Sequence, residues 1–452
     1  MKKHKNKYFP SVTIINEGST EVKNILVEGN RITKISNLSL DNLPFDTETI
    51  NCENLILLPG VIDSHVHFRQ PGLEYKADMA SESAAAVAGG VTSVFDMPNN
   101  NPTTTTIQAL KEKINLAKDK MFCNYGFFFG ITNDNVDEAL RLTDDNLACG
   151  LKVFLGSSTG NMLVDNVKTL ERLFANTPLI ISAHCEEESR IRENTSKYKE
   201  LYKDKEPPAA IHPLIRDAEA CYNSSSYAIN LARKYDTARL HIAHLTTEKE
   251  TSLFSADILA NKRITAEVSP SHLWFSEQDY ATKGNLIKCN PAIKKTQDRS
   301  ALRMALKENR IDIIATDHAP HLLKEKQKPY FDAPSGIPSV QHSLLMMLEL
   351  VQQGEFSIEQ VVEKMCHNPA KLFSIKDRGF IKEGFFADLV LVNPHKKTTV
   401  SADNILYKCG WSPLERTTFS NSIEQTFVNG NQVFAKGRLI SDICGLHIQQ
   451  YR

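Results

Sequence analysis

A (β/α)8 barrel flanked by a small β-sandwich is the fold class this sequence predicts, on three observations. Eight short, largely apolar runs recur through the middle of the chain, and helical patterns lie between most of them. The two ends of the chain carry similar strand–turn–strand patterns, which have no place in a barrel.

The apolar runs are "VIDSHVHF" (61–68), "VTSVFDMP" (91–98), "NYGFFFG" (124–130) and "CGLKVFLG" (149–156), then "LIISAHCE" (179–186), "LHIAHLTT" (240–247), "ITAEVSP" (264–270) and "IDIIATDHAP" (311–320). Their length and β-branched content suit buried parallel strands. The stretches 103–120, 224–236 and 297–310 place apolar residues at helical spacing, the first behind a run of Thr caps. Strands alternating with helices over 56–375 match the usual barrel size of about 250 residues with insertions. An open doubly wound sheet is the alternative, weakened because no GxGxxG follows any strand. The long gap between the fifth and sixth strands calls for extra helix. At the ends, "ILVEGNRITKIS" (25–36) and "TFVNGNQVFAKG" (426–437) each read as strand, Gly-Asn turn, strand, and "GFFADLVLVN" (384–393) adds a strand beside the second copy. Residues 1–55 and 376–452 are therefore expected to share one sandwich.

Bulk composition narrows the function. The 452 residues are 41% hydrophobic and 24% charged, with a formal net charge of −1. That balance gives no electrostatic case for nucleic acid or an anionic membrane. No run approaches 18 apolar residues, so no membrane span is expected. The basic start lacks the apolar stretch of a secretory signal, and the nine cysteines include no CxxC pair. Reduced thiols and a cytoplasmic setting follow as expectations.

Barrel enzymes place their chemistry at the C-terminal ends of the strands. Those ends carry His65 and His67 on the first strand, Lys152 on the fourth, His184 on the fifth, His244 on the sixth and Asp317 on the eighth. Singly, each has a bland reading: an HxH is usually two ordinary histidines, and Cys185 beside His184 alternates to the other strand face. His4, His212, His241, His395 and His447 read as structural or exposed. Converging from five strand ends, however, histidines and a carboxylate build a metal site with an open side. Lys152 is the odd member, because an unpaired ammonium in an apolar strand costs several kcal/mol.

Taken in order, "DSHVHFRQPG", Lys152 in its strand, "SAHCE", "IAHLT" and "ATDHAPH" resemble the amidohydrolase superfamily. Within it, the sequence resembles the cyclic amidohydrolases of the dihydroorotase type, over essentially the whole chain. The resemblance implies two zinc ions sharing a hydroxide. His65, His67 and Asp317 would bind the more buried ion, and His184 and His244 the other. Lys152 would bridge both as a carbamate formed with carbon dioxide. Some enzymes of this type use an aspartate bridge, and the lysine here implies the carbamate form. The implied reaction is the reversible cyclisation of N-carbamoyl-L-aspartate to L-dihydroorotate in de novo pyrimidine synthesis, with Asp317 as the acid–base group.

Arg69 lies two residues after His67 and so on the same face, where its guanidinium suits the substrate carboxylate. Family correspondence adds Asn99 and His321 to that clamp, and gives Asn290 and the backbone around Gly336 the ring amides. Asn100 and Asn101 read as turn residues. The sequence departs from the family's frequent paired histidines at "SPSHLWF", where Ser271 precedes His272, and His272 reads as structural. Thr159, in the loop 156–162, is a candidate substrate contact.

Two rivals stand beside this reading. A dihydropyrimidinase, hydantoinase or allantoinase shares the metal ligands but has no use for Arg69 as a carboxylate clamp. A non-catalytic scaffold for aspartate transcarbamoylase would be expected to lack metal ligands, and none is missing here. A homodimer and an association with aspartate transcarbamoylase are expectations from the family alone.

Overall fold

A computed structural model describes residues 5–38, 42–143, 147–156, 162–440 and 444–451. Eight parallel strands follow one another in chain order: β1 (Val61–Val66), β2 (Val91–Asp96), β3 (Asn124–Gly130), β4 (Gly150–Phe154), β5 (Ile181–His184), β6 (Leu240–Ile242), β7 (Ile264–Val268) and β8 (Ile313–Ile314). Each pairs with the next, and a parallel bridge from Val66 to His318 joins the last to the first. His67 N donates to His318 O at 2.8 Å across that seam. The sheet closes into the barrel expected from the sequence.

Alternation along the strands decides what faces inward. Leu151 and Val153 of β4, Ile181 and Ala183 of β5, Leu240 and Ile242 of β6, and Ala266 and Val268 of β7 all join the large core shared with the surrounding helices. Their neighbours Lys152, Ser182, His184, His241, Thr265 and Glu267 therefore point into the barrel. The opposite end is closed by apolar side chains: Phe95, Phe128 and Phe373 meet edge to face at centroid distances of 5.1–6.2 Å. Such ring pairs add about 0.5–1.5 kcal/mol each beyond the area they bury. A dry floor and a polar rim give the barrel its polarity.

Helices form where the sequence spacing places them. Ile107–Ala117 starts on Thr106, whose hydroxyl accepts from Ala109 N, and Thr296–Lys307 fills the third predicted stretch. The helix predicted over 224–236 begins earlier, at Ala218, because Asp217 caps it by accepting from Ala220 N. The gap between β5 and β6 holds Glu188–Leu201, His212–Ile215 and Ala218–Arg233.

Both ends of the chain meet in a nine-stranded sheet. Ile56–Pro59 pairs in parallel with Lys7–Asn16 on one side and antiparallel with Leu389–Asn393 on the other. Outward from these run the hairpin Ser19–Glu28/Arg31–Ser36 and the hairpin Ser422–Val428/Asn431–Ala435. Phe9, Val12, Ile25, Val27, Ile32, Leu57, Leu389, Leu391 and Phe427 form a separate core between its faces, the flanking sandwich. Among the described residues, no helix is long and apolar enough to cross a membrane.

Candidate active site

Three ligand atoms converge at the polar end of the barrel. His65, His67 and Asp317 offer atoms that all lie within 4.8 Å of one another. Asp317 Oδ1 is 3.3 Å from His65 Nε2 and 3.0 Å from His67 Nε2. The other ring nitrogens are already committed. His65 Nδ1 donates to Glu267 Oε1, and His67 Nδ1 donates to Asn99 Oδ1 at 2.7 Å. With those protons placed, both Nε2 atoms present lone pairs toward a carboxylate oxygen. Three acceptors facing one another are repulsive unless a cation lies among them, so this donor set fits a divalent metal ion. Burial pushes the His67 imidazolium down to about 4 and so favours the neutral ring that ligates. Burial alone would raise Asp317; only with the rings protonated would His65, His67 and His244 outweigh it and hold the carboxyl below its usual range.

A second pair sits alongside. His184 Nδ1 and His244 Nε2 are 3.0 Å apart, and the His65 and His244 ring centroids lie 5.3 Å apart. His184 Nε2 donates to Glu186 Oε2 at 2.9 Å, which turns the Nδ1 lone pair toward His244. Glu186 is in turn held by Arg216 from the helical insert. Carboxylates that accept from the far nitrogen of a ligating histidine fix its tautomer and ring plane. Burial lowers both His184 and His244 below the ordinary imidazole value.

Lys152 is fully buried, and its Nζ has no hydrogen-bond partner. Burial pushes its ammonium down to about 8, against the pull of Glu267 and Asp317. The structure thus brings the charge-bearing strand ends of the sequence reading onto one inner face. His244, Asp317 and Arg69 also share left-handed backbone, with φ of 35°, 50° and 66°. Non-glycine residues hold such angles at a cost of about 1–3 kcal/mol each, and at strand ends the turn swings their side chains over the barrel mouth.

Beside this centre stands a donor-rich corner. Arg69 Nε donates to Pro320 O at 3.1 Å, and Nη2 lies 3.1 Å from His321 Nε2. Gly336 adopts φ 147°, and a Cβ there would meet Ala319 O at 2.4 Å and His321 Cδ2 at 2.8 Å. Only glycine leaves room for that backbone beside His321. Asn290 Oδ1 is buried without a partner. Asn99 lies against His67, as above. His272 is tied on both sides, Nδ1 to Ser269 Oγ at 2.7 Å and Nε2 to Pro291 O at 3.1 Å. Thr159 falls outside the described residues.

Sequence reasoning missed Glu267 and Glu186. Glu267 holds His65 Nδ1, accepts from His241 Nε2 at 3.1 Å and accepts from His244 N at 3.3 Å, so one carboxylate braces two strand ends. The signal was a carboxylate inside the apolar run "ITAEVSP", as anomalous there as Lys152 in its own strand.

Residues 56–433 match the model of the amidohydrolase family. The chain belongs to that family, and it is a hydrolase acting on a cyclic amide. Its curated relatives include the dihydroorotase of Halobacterium salinarum, 34% identical over 402 residues that span 87% of this chain and 89% of that one. The dihydroorotase of Methanothermobacter thermautotrophicus is 32% identical over 419 residues, 92% of each chain. Among solved structures, an L-hydantoinase (dihydropyrimidinase) from Arthrobacter aurescens superposes with a TM-score of 0.91 over 98% of this chain and 99% of its own, at 24% identity. That likeness shows the shared fold.

Proposed function

We propose that this hydrolase is a dihydroorotase, interconverting N-carbamoyl-L-aspartate and L-dihydroorotate in pyrimidine synthesis. The observation that carries the reading is Arg69. Its buried guanidinium donates to a backbone carbonyl and lies beside His321, with no carboxylate paired to it, two residues after His67. A buried cation with donors to spare beside the reacting centre suits a substrate bearing a carboxylate, which hydantoins and dihydropyrimidines lack. The dihydroorotase relatives support the same choice.

His65, His67 and Asp317 would hold one zinc ion, His184 and His244 a second, and Lys152 both, once its free amine has taken up carbon dioxide. The partnerless, buried Nζ supports that role, since burial favours the amine that must attack carbon dioxide. Two divalent ions there supply a polarised carbonyl and a water acidic enough to react at neutral pH. The chain's own residues do the rest. Arg69 and His321 grip the carboxylate, and the buried Asn290 Oδ1 and the Gly336 backbone take the ring amides. Asp317, ionised at neutral pH, accepts the proton of the attacking water and returns it to the ring nitrogen as the C–N bond breaks. Cyclisation reverses the same transfers.

The test is a substrate panel: purified enzyme with N-carbamoyl-L-aspartate, L-dihydroorotate, hydantoin, dihydrouracil and allantoin. Turnover of the first two is expected. Turnover of a neutral ring with neither of them overturns the assignment.

A further inference from the structure

The loop after β1 returns a second cation to the carboxylate corner. Leu73 N donates to Arg69 O at 3.1 Å and Lys76 N to Leu73 O at 3.0 Å, a winding that carries Lys76 back over His321. Lys76 Nζ lies 3.0 Å from His321 Nδ1. An ammonium has donors only, so Nδ1 supplies the lone pair and the ring proton sits on Nε2. That N–H meets Ser335 O at 3.0 Å. Arg69 Nη2, 3.1 Å from the same Nε2, then faces a donor with a donor. The Arg69 Nη2–H is thus left without an acceptor there, and a substrate carboxylate would supply one while sharing the His321 Nε2–H with Ser335 O.

Glu325 makes Lys76 necessary. Its Oε1 is 3.5 Å from Lys76 Nζ, and its Oε2 is 3.8 Å from His321 Nδ1. Without the ammonium, that carboxylate is the nearest charged group to Nδ1 and draws a proton onto it. The ring would then turn a lone pair toward the substrate carboxylate. The charged groups around His321 are Arg69, Lys76, Lys326 and Glu325.

We propose that Lys76 is a positioning residue for substrate selection: it fixes His321 as an Nε2–H donor, so that His321 and Arg69 together receive a carboxylate. This rests on the dihydroorotase reading. The test uses full-length, metal-loaded enzyme, with KM and kcat measured on N-carbamoyl-L-aspartate and L-dihydroorotate. Lys76→Met is expected to raise KM about tenfold, the scale of one lost charge-assisted hydrogen bond. Metal content should be unchanged and kcat should stay within about threefold. Lys76→Arg, still a donor to Nδ1, should restore most of the affinity. Lys76→Met/Glu325→Gln should recover part of it, because the competing carboxylate is gone. A Lys76→Met enzyme with wild-type KM overturns the proposal, as does a joint fall of kcat and metal content that arginine does not rescue. A wild-type enzyme that turns over neutral rings and neither carboxylate substrate overturns the dihydroorotase reading, and Lys76 has then no carboxylate to select.

Discussion

At the scale of single residues, Lys152 shows how an anomaly in sequence becomes chemistry in structure. A lysine in an apolar strand is costly, and here nothing nearby pairs with its Nζ. Its place on the inner face, with five ligand-type side chains at the same end of the barrel, gives it work as a bridge. Lys152→Ala is therefore expected to lose nearly all activity and most of the second equivalent of zinc, read by elemental analysis of the purified variant. A small carboxylic acid added to the assay should restore part of both, since a carboxylate is the group the carbamate would present. Arg69→Met separates binding from metal chemistry. It should raise KM and lower kcat/KM by about 10- to 100-fold, the worth of a charge-assisted contact, with metal content unchanged. Unaltered kinetics would remove Arg69 from the clamp.

At the scale of elements, the strands were legible because burial imposes a simple rule on them. Leu-Lys-Val or Ser-Ala-His alternates between a helix-covered face and the barrel interior, and the polar member is visible against its neighbours. Glu267 obeyed the same rule on β7 and was still overlooked. A carboxylate acquires meaning only through its partner, and His65 lies 202 residues away on a strand that is not even adjacent in the sheet. Asn99, expected in the substrate clamp, has a second partner that its sequence position does not announce, its Oδ1 accepting from His67 Nδ1. Partnership across strands carries no spacing signal. Helix starts suffered similarly: the cap of Ala218–Arg233 is Asp217, outside the stretch where the apolar period is clear. Glu267→Gln tests the brace. The neutral amide keeps the shape but no longer anchors the His65 ring proton with a full charge. Zinc affinity should fall about 10- to 100-fold, as for other carboxylates behind ligating histidines, measured by competition with a chromogenic chelator. Wild-type affinity would show that β7 does not set the His65 tautomer.

At the scale of the whole molecule, the two ends of the chain do more than cover an edge. The terminal sheet is joined to the barrel through one buried carboxylate. Asp388 pairs with the Arg378 guanidinium, and both side chains are 3% exposed. Its Oδ1 accepts from Asn429 N at 2.7 Å, and its Oδ2 accepts from Asn124 Nδ2 at 3.1 Å. Asn429 Nδ2 closes the ring by donating to Asn124 Oδ1 at 2.7 Å. Asn124 opens β3, so this network sits at the end of the barrel opposite the histidines. The sequence announced the shared sandwich through its matching hairpins, but not this weld, whose members lie up to 305 residues apart. Removing one partner of a buried ion pair strands the other, at a cost of about 3–5 kcal/mol. Asp388→Ala is therefore expected to lower the melting temperature by several degrees, because Arg378 has no other carboxylate as close and cannot shed its charge. KM and metal content should stay near wild type, since no strand end at the polar rim touches the network. A drop in activity matching the drop in stability would instead mean that the terminal sheet sets the geometry of the barrel mouth. An unchanged melting temperature would mean that the Asn124–Asn429 contact holds the two parts together without the charge.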